Sequence, residues 1–188
     1  MSASKMTFPT FIQMYPDSHN HPLLKQLRER ARYYGYQFLH RKHCHALLTF
    51  LDQHPQWQPL FTQNYYRFNA LLTTYCDKRF SATNRLTAIT ENLRLAEEKI
   101  GSQLCYQLLT ENSIILSQLT EDLRLSLNIN QIDPFEGYFS INIKNQNNER
   151  IYDASFTFLS PNKLLIASIQ GPSGENAQDL VKQATKAM

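Results

Sequence analysis

The stretch Leu123–Ile129 reads LRLSLNI, and its apolar and polar residues alternate at every position. Successive side chains of a β-strand point to opposite faces, so the leucines would line a core and the polar residues would face away from it. Similar alternation at 139–143 and 152–158, with turn residues at 145–148 and 160–162, predicts two more strands of an antiparallel meander. Residues 164–169, LLIASI, are apolar on both faces, which is typical of a buried central strand.

Upstream of about residue 120, the apolar residues recur at helical spacing. A helix is predicted over residues 81–100, with Ser81 as its N-cap and Gly101 at its end. A shorter helix follows through Leu104 and Leu108. An earlier helix carries an apolar stripe that is expected to face the core: Leu24, Leu27, Ala31, Tyr34 and Phe38.

These patterns predict an α+β fold in which a helical N-terminal half packs on an antiparallel sheet. The length of 188 residues favours one domain. We expect a mainly helical region at 1–120 and a region of antiparallel strands plus a terminal helix at 121–188. The second region is interpreted as a partial domain, or as one continuous domain together with 1–120.

Gln170, Gly171, Ser173 and Gly174 form a candidate cofactor-binding loop between the strand at 164–169 and a helix at 175–187. Free amide hydrogens and the positive end of a helix dipole attract phosphate, and glycine permits a close approach of the backbone. Ser173 is a candidate N-cap of that helix. The loop matches neither G-x-x-x-x-G-K-[ST] nor G-x-G-x-x-G. Its glycines have a second interpretation, a turn that merely lets the strand pack against its helix.

The chain has 19 basic and 16 acidic residues, a net charge of +3, which argues against a strongly electrostatic nucleic-acid binder. No run reaches the ~20 apolar residues of a transmembrane segment, and no apolar segment typical of a secretory signal begins the chain. The three cysteines are odd in number and about thirty residues apart, which favours reduced thiols over a disulfide framework. A soluble, cytoplasmic protein is therefore expected.

All six histidines lie before residue 55, and His40, His43 and His45 flank Cys44. A zinc site normally has four ligands, and no second pair of His or Cys follows at a suitable spacing, so no metal site is predicted. The basic residues around these histidines are Arg28, Arg30, Arg32, Arg41 and Lys42. This basic patch has two interpretations, a surface for an anionic partner and an ordinary solvated helix face.

Five short motifs occur in order along residues 80–188. They are NRLTAI at 84–89, FEGYFSI at 135–141, IYDASFTF at 151–158, LIASIQGP at 165–172 and ATKAM at 184–188. In this order they resemble motifs of the VirK/YbjX-like family of bacterial proteins, a domain of unknown function. Ala167 and Ser168 stand where that family usually has glycine. Family members also continue past the last motif into further helix and strand, so a C-terminally truncated member is expected.

The family resemblance implies a link to virulence and to resistance against cationic antimicrobial peptides, with no agreed biochemical activity. It implies a soluble accessory factor of virulence or envelope stress, whose partner is an unknown protein or an envelope precursor. The order of strand, glycine loop and helix also resembles the N-acetyltransferase superfamily. That resemblance implies an alternative, an acyltransferase-like enzyme with a coenzyme A thioester at 170–174, inactive in a truncated chain. No catalytic residue is assigned, because Asp133, Glu136 and Asp153 occupy ordinary turn and edge positions.

Overall fold

The computed structural model describes residues 5–172 together with 179, 181, 182, 185 and 186. Spatial contacts divide the chain into two compact units, Met1–Leu93 and Arg94–Met188. Helices form the first unit and a five-stranded antiparallel sheet dominates the second, so the predicted α+β fold class is confirmed. The assignment of domains to 1–120 and 121–188 stays a prediction.

Helices account for most of the described chain before the sheet. They are α1 (Phe11–Met14), α2 (Leu23–Leu39), α3 (Arg41–Gln53), α4 (Gln58–Thr62), α5 (Asn69–Leu72), α6 (Ala82–Ile100) and α7 (Ser102–Glu111). Short 3-10 turns link the early helices. The predicted helix at 81–100 and the shorter helix that follows it are confirmed as α6 and α7.

Local hydrogen bonds and backbone angles define where α6 and α7 begin and end. The hydroxyl of Ser81 accepts a hydrogen bond from the Asn84 amide at 3.2 Å, so the predicted N-cap is confirmed. Gly101 separates the two helices with φ at +87°, a left-handed conformation that glycine adopts without steric cost. Asn112 ends α7 with φ at +60°, and the first strand begins at the next residue.

The first unit encloses a core of large side chains together with two buried arginines. Trp57, Leu60, Phe61, Phe68 and Tyr75 are fully buried members of this core. Arg85, from the NRLTAI motif, donates hydrogen bonds to the carbonyl oxygens of Leu71 and Phe80 at 2.8 and 2.7 Å. Helix ends leave carbonyl groups without partners, and this guanidinium satisfies one such group in the last turn of α5 and a further carbonyl group just before α6.

Only Tyr33 of α2 is buried, which contradicts the prediction that the apolar stripe of this helix faces the core. Leu24 is 83% exposed and Phe38 is 81% exposed. Successive helical residues lie about 100° apart, so the stripe runs along the side opposite Tyr33. The prediction was wrong because periodicity shows that a helix is amphipathic without showing which side contacts the rest of the protein.

The sheet of the second unit is a simple meander. Its strands are β1 (Ser113–Gln118), β2 (Leu123–Ile129), β3 (Phe139–Asn145), β4 (Arg150–Ser160) and β5 (Lys163–Gln170), in the spatial order β1-β2-β3-β4-β5. Each neighbouring pair is antiparallel, so the predicted meander is confirmed. Sequence reasoning missed β1, because SIILSQ lacks a clear alternation. Within this unit α7 contacts β1 and β2.

β5 differs from the predicted buried central strand. It lies at an edge of the sheet, and Leu164, Ile166 and Ile169 are 49%, 53% and 71% exposed. The tight turn between β4 and β5 places β5 directly beside β4, and no described strand pairs with its other side. The prediction was wrong because apolar residues on both faces describe side-chain chemistry, whereas the order of strands depends on their connections.

Gly137 lies where the segment before β3 approaches β4 closely. Its φ is +115°, and a Cβ atom there would be 2.5 Å from the carbonyl oxygen of Phe156. Residues with a side chain rarely adopt this φ, and the short distance leaves no room for a methyl group. Steric constraints therefore explain why the FEGYFSI motif has glycine at position 137.

Replacing Gly137 with alanine is expected to lower the free energy of unfolding by about 2–4 kcal/mol, because backbone strain adds to the clash with Phe156. Urea unfolding followed by circular dichroism measures this loss. Gly35→Ala in α2 is the matched control, since a Cβ there meets nothing within 4 Å. Alanine favours a helix by about 1 kcal/mol over glycine, so the control should not be destabilised. Equal stability of Gly137→Ala and the wild type would contradict the steric argument.

Candidate functional site

The predicted cofactor-binding loop begins at the end of β5. Gln170 is the last residue of this strand and is the cross-strand partner of Asp153 in β4. Gly171 follows without a left-handed φ, and a Cβ atom there would meet Tyr152 Cε1 at an ordinary contact distance of 4.0 Å. Gly171 thus tolerates a small side chain, and the structure brings Gln170 next to a buried carboxylate.

The rest of the predicted loop is not described. Ser173 and Gly174 lie outside the described residues, as does most of the predicted helix at 175–187. Among the described positions of that segment, residues 179, 181, 182, 185 and 186 have helical backbone. Phosphate binding at 170–174 and the alternative packing turn both stay predictions.

The polar residues of the strands form two aligned rows on one face of the sheet. The first row contains the cross-strand partners Ser126, Asn142, Asp153 and Gln170, and the second contains Asn128, Ser140, Ser155 and Ser168. We call these two rows the polar face. Ser126, Asp153 and Ser155 are at most 2% exposed. The polar side of LRLSLNI is therefore buried, and such groups need hydrogen-bond partners.

Asp153 is the charged centre of the polar face. Asn142 donates a short hydrogen bond from Nδ2 to Asp153 Oδ2, and Arg150 Nη1 lies 3.9 Å from the same oxygen. The other oxygen, Oδ1, is buried and receives no hydrogen bond from the described residues. Because a buried carboxylate is costly unless it is paired, the cations around Asp153 are part of what keeps it in place.

A second hydrogen-bonded chain crosses the polar face toward the edge strand. Ser155 Oγ and Ser168 Oγ lie 2.6 Å apart, and Ser168 Oγ donates to Glu136 Oε2 at 2.7 Å. Ser168 stands where the family resemblance leads us to expect glycine. Its hydroxyl joins the FEGYFSI and LIASIQGP motifs, which are far apart in sequence. The polar face thus combines one carboxylate with amides and hydroxyls, and most of these groups are buried and hydrogen-bonded to one another.

The exposed stripe of α2 forms a second candidate surface, in the helical unit. We call Leu24, Leu27, Ala31, Tyr34 and Phe38 the outer face of α2. Lys25, Arg28, Arg30 and Arg32 of the same helix are basic, against the single acidic residue Glu29. Arg28 and Arg32 lie along one flank of the outer face and form no ion pair with a described residue.

A groove continues the outer face of α2 toward α3. It has a volume of about 400 Å³, and its lining includes Phe8, Phe38, Leu48 and Arg41. Cys44 lies in its wall, and burial raises the pKa of this thiol to about 11. The thiol is therefore protonated at neutral pH and is a poor nucleophile.

The histidine cluster serves local packing. His40 stacks on Tyr36, and His43 Nε2 lies 3.1 Å from Thr83 Oγ1. Burial, with Arg85 and His43 nearby, lowers the pKa of His40. In the part of the chain that the structure describes, no three His, Cys, Asp or Glu residues gather as metal ligands.

Sequence reasoning missed an aromatic cleft in the helical unit. The cleft has a volume of about 430 Å³ and is lined by Tyr15, Tyr65 and Tyr66, with His21 Nδ1 and Glu29 Oε2 3.0 Å apart at its side. Burial is the largest cause that raises the pKa of Tyr15 to about 12. Tyr15 and the adjacent pair Tyr65 and Tyr66 come from two separate segments of the chain, so no single local motif could have revealed the cleft.

These features define an α+β protein with a buried polar sheet face and a basic, apolar helix surface. The family model described as "Protein of unknown function (DUF535)" matches residues 22–188, and the chain belongs to this family. The predicted membership of the VirK/YbjX-like family is thereby confirmed. No helix among the described residues has the length and apolar character needed to cross a bilayer.

Three relatives are similar over nearly the whole chain. An uncharacterized protein of Haemophilus influenzae is 72% identical over 181 residues, which are 96% of this chain and 62% of the relative. "Membrane protein LapB" of Mannheimia haemolytica is 32% identical over 95% of this chain and 77% of its own length. A second uncharacterized Haemophilus influenzae protein is 31% identical over 98% of this chain and 63% of its own. The chain thus spans about three fifths of both Haemophilus proteins, and no solved structure is significantly similar to it.

Asp153→Ala is expected to lower the free energy of unfolding by about 1–3 kcal/mol, because the buried Asn142 amide loses its acceptor. Asp153→Asn keeps an acceptor oxygen and removes only the charge, so its loss should be smaller. Denaturant unfolding measures both variants, and Asp122→Ala, at an exposed aspartate, is the matched control. A loss for Asp153→Ala no larger than for the control would contradict a central role for this carboxylate.

Proposed function

We propose that this chain is an accessory protein of the bacterial envelope that docks on an anionic membrane surface through the outer face of α2. The observation that carries the proposal is the exposure of the apolar stripe, with Leu24 at 83% and Phe38 at 81%. A helix with one apolar side and flanking basic residues is typical of segments that lie in the bilayer interface. In this chain that apolar side is free rather than packed on a core.

Two physical contributions favour a membrane over water for this surface. Insertion of the outer face among the acyl chains removes apolar area from water, worth about 25 cal/mol per Å². Each Lys or Arg near an anionic leaflet adds about 1 kcal/mol, and Arg28 and Arg32 on one flank are free of ion pairs with described residues. The groove beside Phe38 offers further apolar area for one acyl chain.

The similarity to one relative supports the bacterial envelope as the location in this proposal. The Mannheimia relative carries the printed name of a membrane protein, and this chain covers 77% of it. The family resemblance adds the link to virulence and to resistance against cationic antimicrobial peptides. We place the protein at the cytoplasmic side of the envelope, where it would act on a protein partner or an envelope precursor.

The wild-type chain is expected to co-sediment with vesicles of phosphatidylglycerol and phosphatidylethanolamine, and not with phosphatidylcholine vesicles. The double variant Leu24→Gln/Phe38→Gln should bind at least tenfold more weakly, because two apolar anchors are lost. About 1 M NaCl, where the screening length is roughly 3 Å, should weaken the wild type as well.

The matched control is Ile166→Gln/Ile169→Gln, which changes two exposed apolar residues of β5 instead. This control should bind vesicles like the wild type. An equal loss of vesicle binding in both double variants would contradict membrane docking. An absence of binding of the wild type to anionic vesicles would contradict it as well. Loss of function in cells on reversal of Arg28 and Arg32, without any vesicle binding, would instead indicate a protein partner.

The alternative function is that of an acyltransferase-like enzyme that binds a coenzyme A thioester at 170–174. The observation at this loop is the pairing of Gln170 with Asp153, which puts the start of the loop beside a polar region where the Arg150 guanidinium lies 3.9 Å from the Asp153 carboxylate. At the described loop residue Gly171, an added Cβ atom would contact only Tyr152 Cε1, at 4.0 Å, so other side chains can be introduced there.

Acyl-coenzyme A is expected to raise the Tm of this chain if the alternative holds, since a ligand selective for the native state stabilises it. Gly171→Asp should abolish the rise by repelling the phosphates, whereas Gly171→Ala should keep it. An unchanged Tm at millimolar ligand, or an undiminished rise in Gly171→Asp, would contradict coenzyme A binding at this loop.

A further inference from the structure

Three cations stand in one row across the middle strands of the sheet. Arg124 of β2 is the direct cross-strand partner of Lys144 in β3, and Lys144 is the direct partner of Arg150 in β4. Like charges directly opposite each other on neighbouring strands are destabilising. The repulsion within the row therefore opposes folding, although Arg150 is also attracted to the Asp153 carboxylate.

Nearby carboxylates compensate this row incompletely. Arg150 approaches Asp153 Oδ2 at 3.9 Å, but none of the ion pairs among the described residues includes Arg124 or Lys144. The Lys144 ammonium is half-buried and donates a long hydrogen bond, 3.4 Å, to Asn128 Oδ1. Burial is the largest cause that lowers the pKa of Lys144, Arg124 and Arg150 lower this pKa further, and Asp153 opposes them.

A cavity lies between these cations and α7, within the sheet unit. Its volume is about 590 Å³, and Arg124 and Lys144 line it together with Ser113 and Ser126. Gln107 and Glu111 of α7 face it from the other side, and Gln107 Nε2 donates to Glu111 Oε2 at 3.0 Å. Apolar side chains complete the wall: Leu104, Ile114 and Ile115.

We propose that this cavity is a binding site for a phosphomonoester, whose phosphate lies between Arg124 and Lys144. Guanidinium and ammonium groups from adjacent strands match the acceptor oxygens of a phosphate dianion. The cavity is larger than a phosphate group alone, so the apolar wall would contact the organic part of the ligand. A phosphorylated sugar and the headgroup of a phosphatidic lipid share this chemistry.

The site is independent of membrane docking by α2 and of coenzyme A binding at 170–174. Its residues come from β1, β2, β3 and α7, whereas the other two proposals rest on α2 and on the loop after β5. A failure of either earlier proposal therefore leaves this one testable.

The test compares wild-type protein with Lys144→Gln in thermal unfolding, with and without inorganic phosphate. Phosphate should raise the wild-type Tm more than NaCl of equal ionic strength does. Lys144→Gln should lose this rise and, in phosphate-free buffer, should melt about 1–3 °C above the wild type, because the repulsion in the row is relieved. Lys163→Gln, at an exposed lysine of β5, is the matched control and should respond like the wild type.

Two outcomes overturn the proposal. One is a phosphate-induced rise no greater than that with NaCl, which would indicate general screening. The other is a Lys144→Gln variant that melts below the wild type and keeps the phosphate response, which would make Lys144 a structural residue. If the site is confirmed, titration with a hexose phosphate and with dispersed short-chain phosphatidic acid identifies the source of the phosphate, because the natural class binds more tightly.

Discussion

The sheet of this protein depends on the compensation of one buried carboxylate. Asp153 is 2% exposed, and its neighbours on the adjacent strands are polar rather than apolar. A buried charge is tolerated only where hydrogen bonds and opposite charges replace water. The amide of Asn142 and the guanidinium of Arg150 provide this replacement and thereby constrain which residues β3 and β4 can place opposite each other.

Because Asp153 must be compensated by polar neighbours, the two faces of the sheet differ in chemistry. On one face, Leu127, Ile129 and Phe139 are buried as an ordinary apolar core. The other face buries serines and asparagines, which hydrogen-bond along a strand, as Asn128 does to Ser126, or across strands, as Ser155 does to Ser168. Cross-strand hydrogen bonds of this kind fix register, because a slip by one residue would place each polar group among apolar ones.

The helical unit shows the opposite arrangement. Its α2 buries one tyrosine and leaves an apolar stripe on the outside, while the core is built mainly from shorter helices and the turns between them. Exposed contiguous apolar surface is rare on soluble monomers unless it contacts something else. The family to which this chain belongs is described as one of unknown function. The most specific physical features of this chain are therefore two surfaces. One is the outer face of α2, which is apolar and basic, and the other is the cavity lined by Arg124 and Lys144, which is polar and cationic.

The local sequence pattern was sufficient to predict much of the fold. The α+β class, the long helix with Ser81 and Gly101 at its ends, and the antiparallel strands from Leu123 onward all follow from periodicity and turn residues, which act over a few neighbouring positions. The family motifs were recognisable for the same reason. Of the predicted loop, Gln170 and Gly171 are located, and the polar face that Gln170 joins was not anticipated as a site.

The sequence could not determine which part of the structure each face of a helix or strand would contact. Alternation shows that Ser126 and Asn128 lie together on one side of β2, but only the register with β3, β4 and β5 buries them. Periodicity shows that Leu24 and Phe38 share a helix face, but only the packing of Tyr33 decides that this face lies outside. The apolar residues of β5 gave no information about its edge position, which follows from its connection to β4. Helix and strand patterns depend on residues a few positions apart, whereas burial and the alignment of Arg124, Lys144 and Arg150 depend on segments distant in the chain.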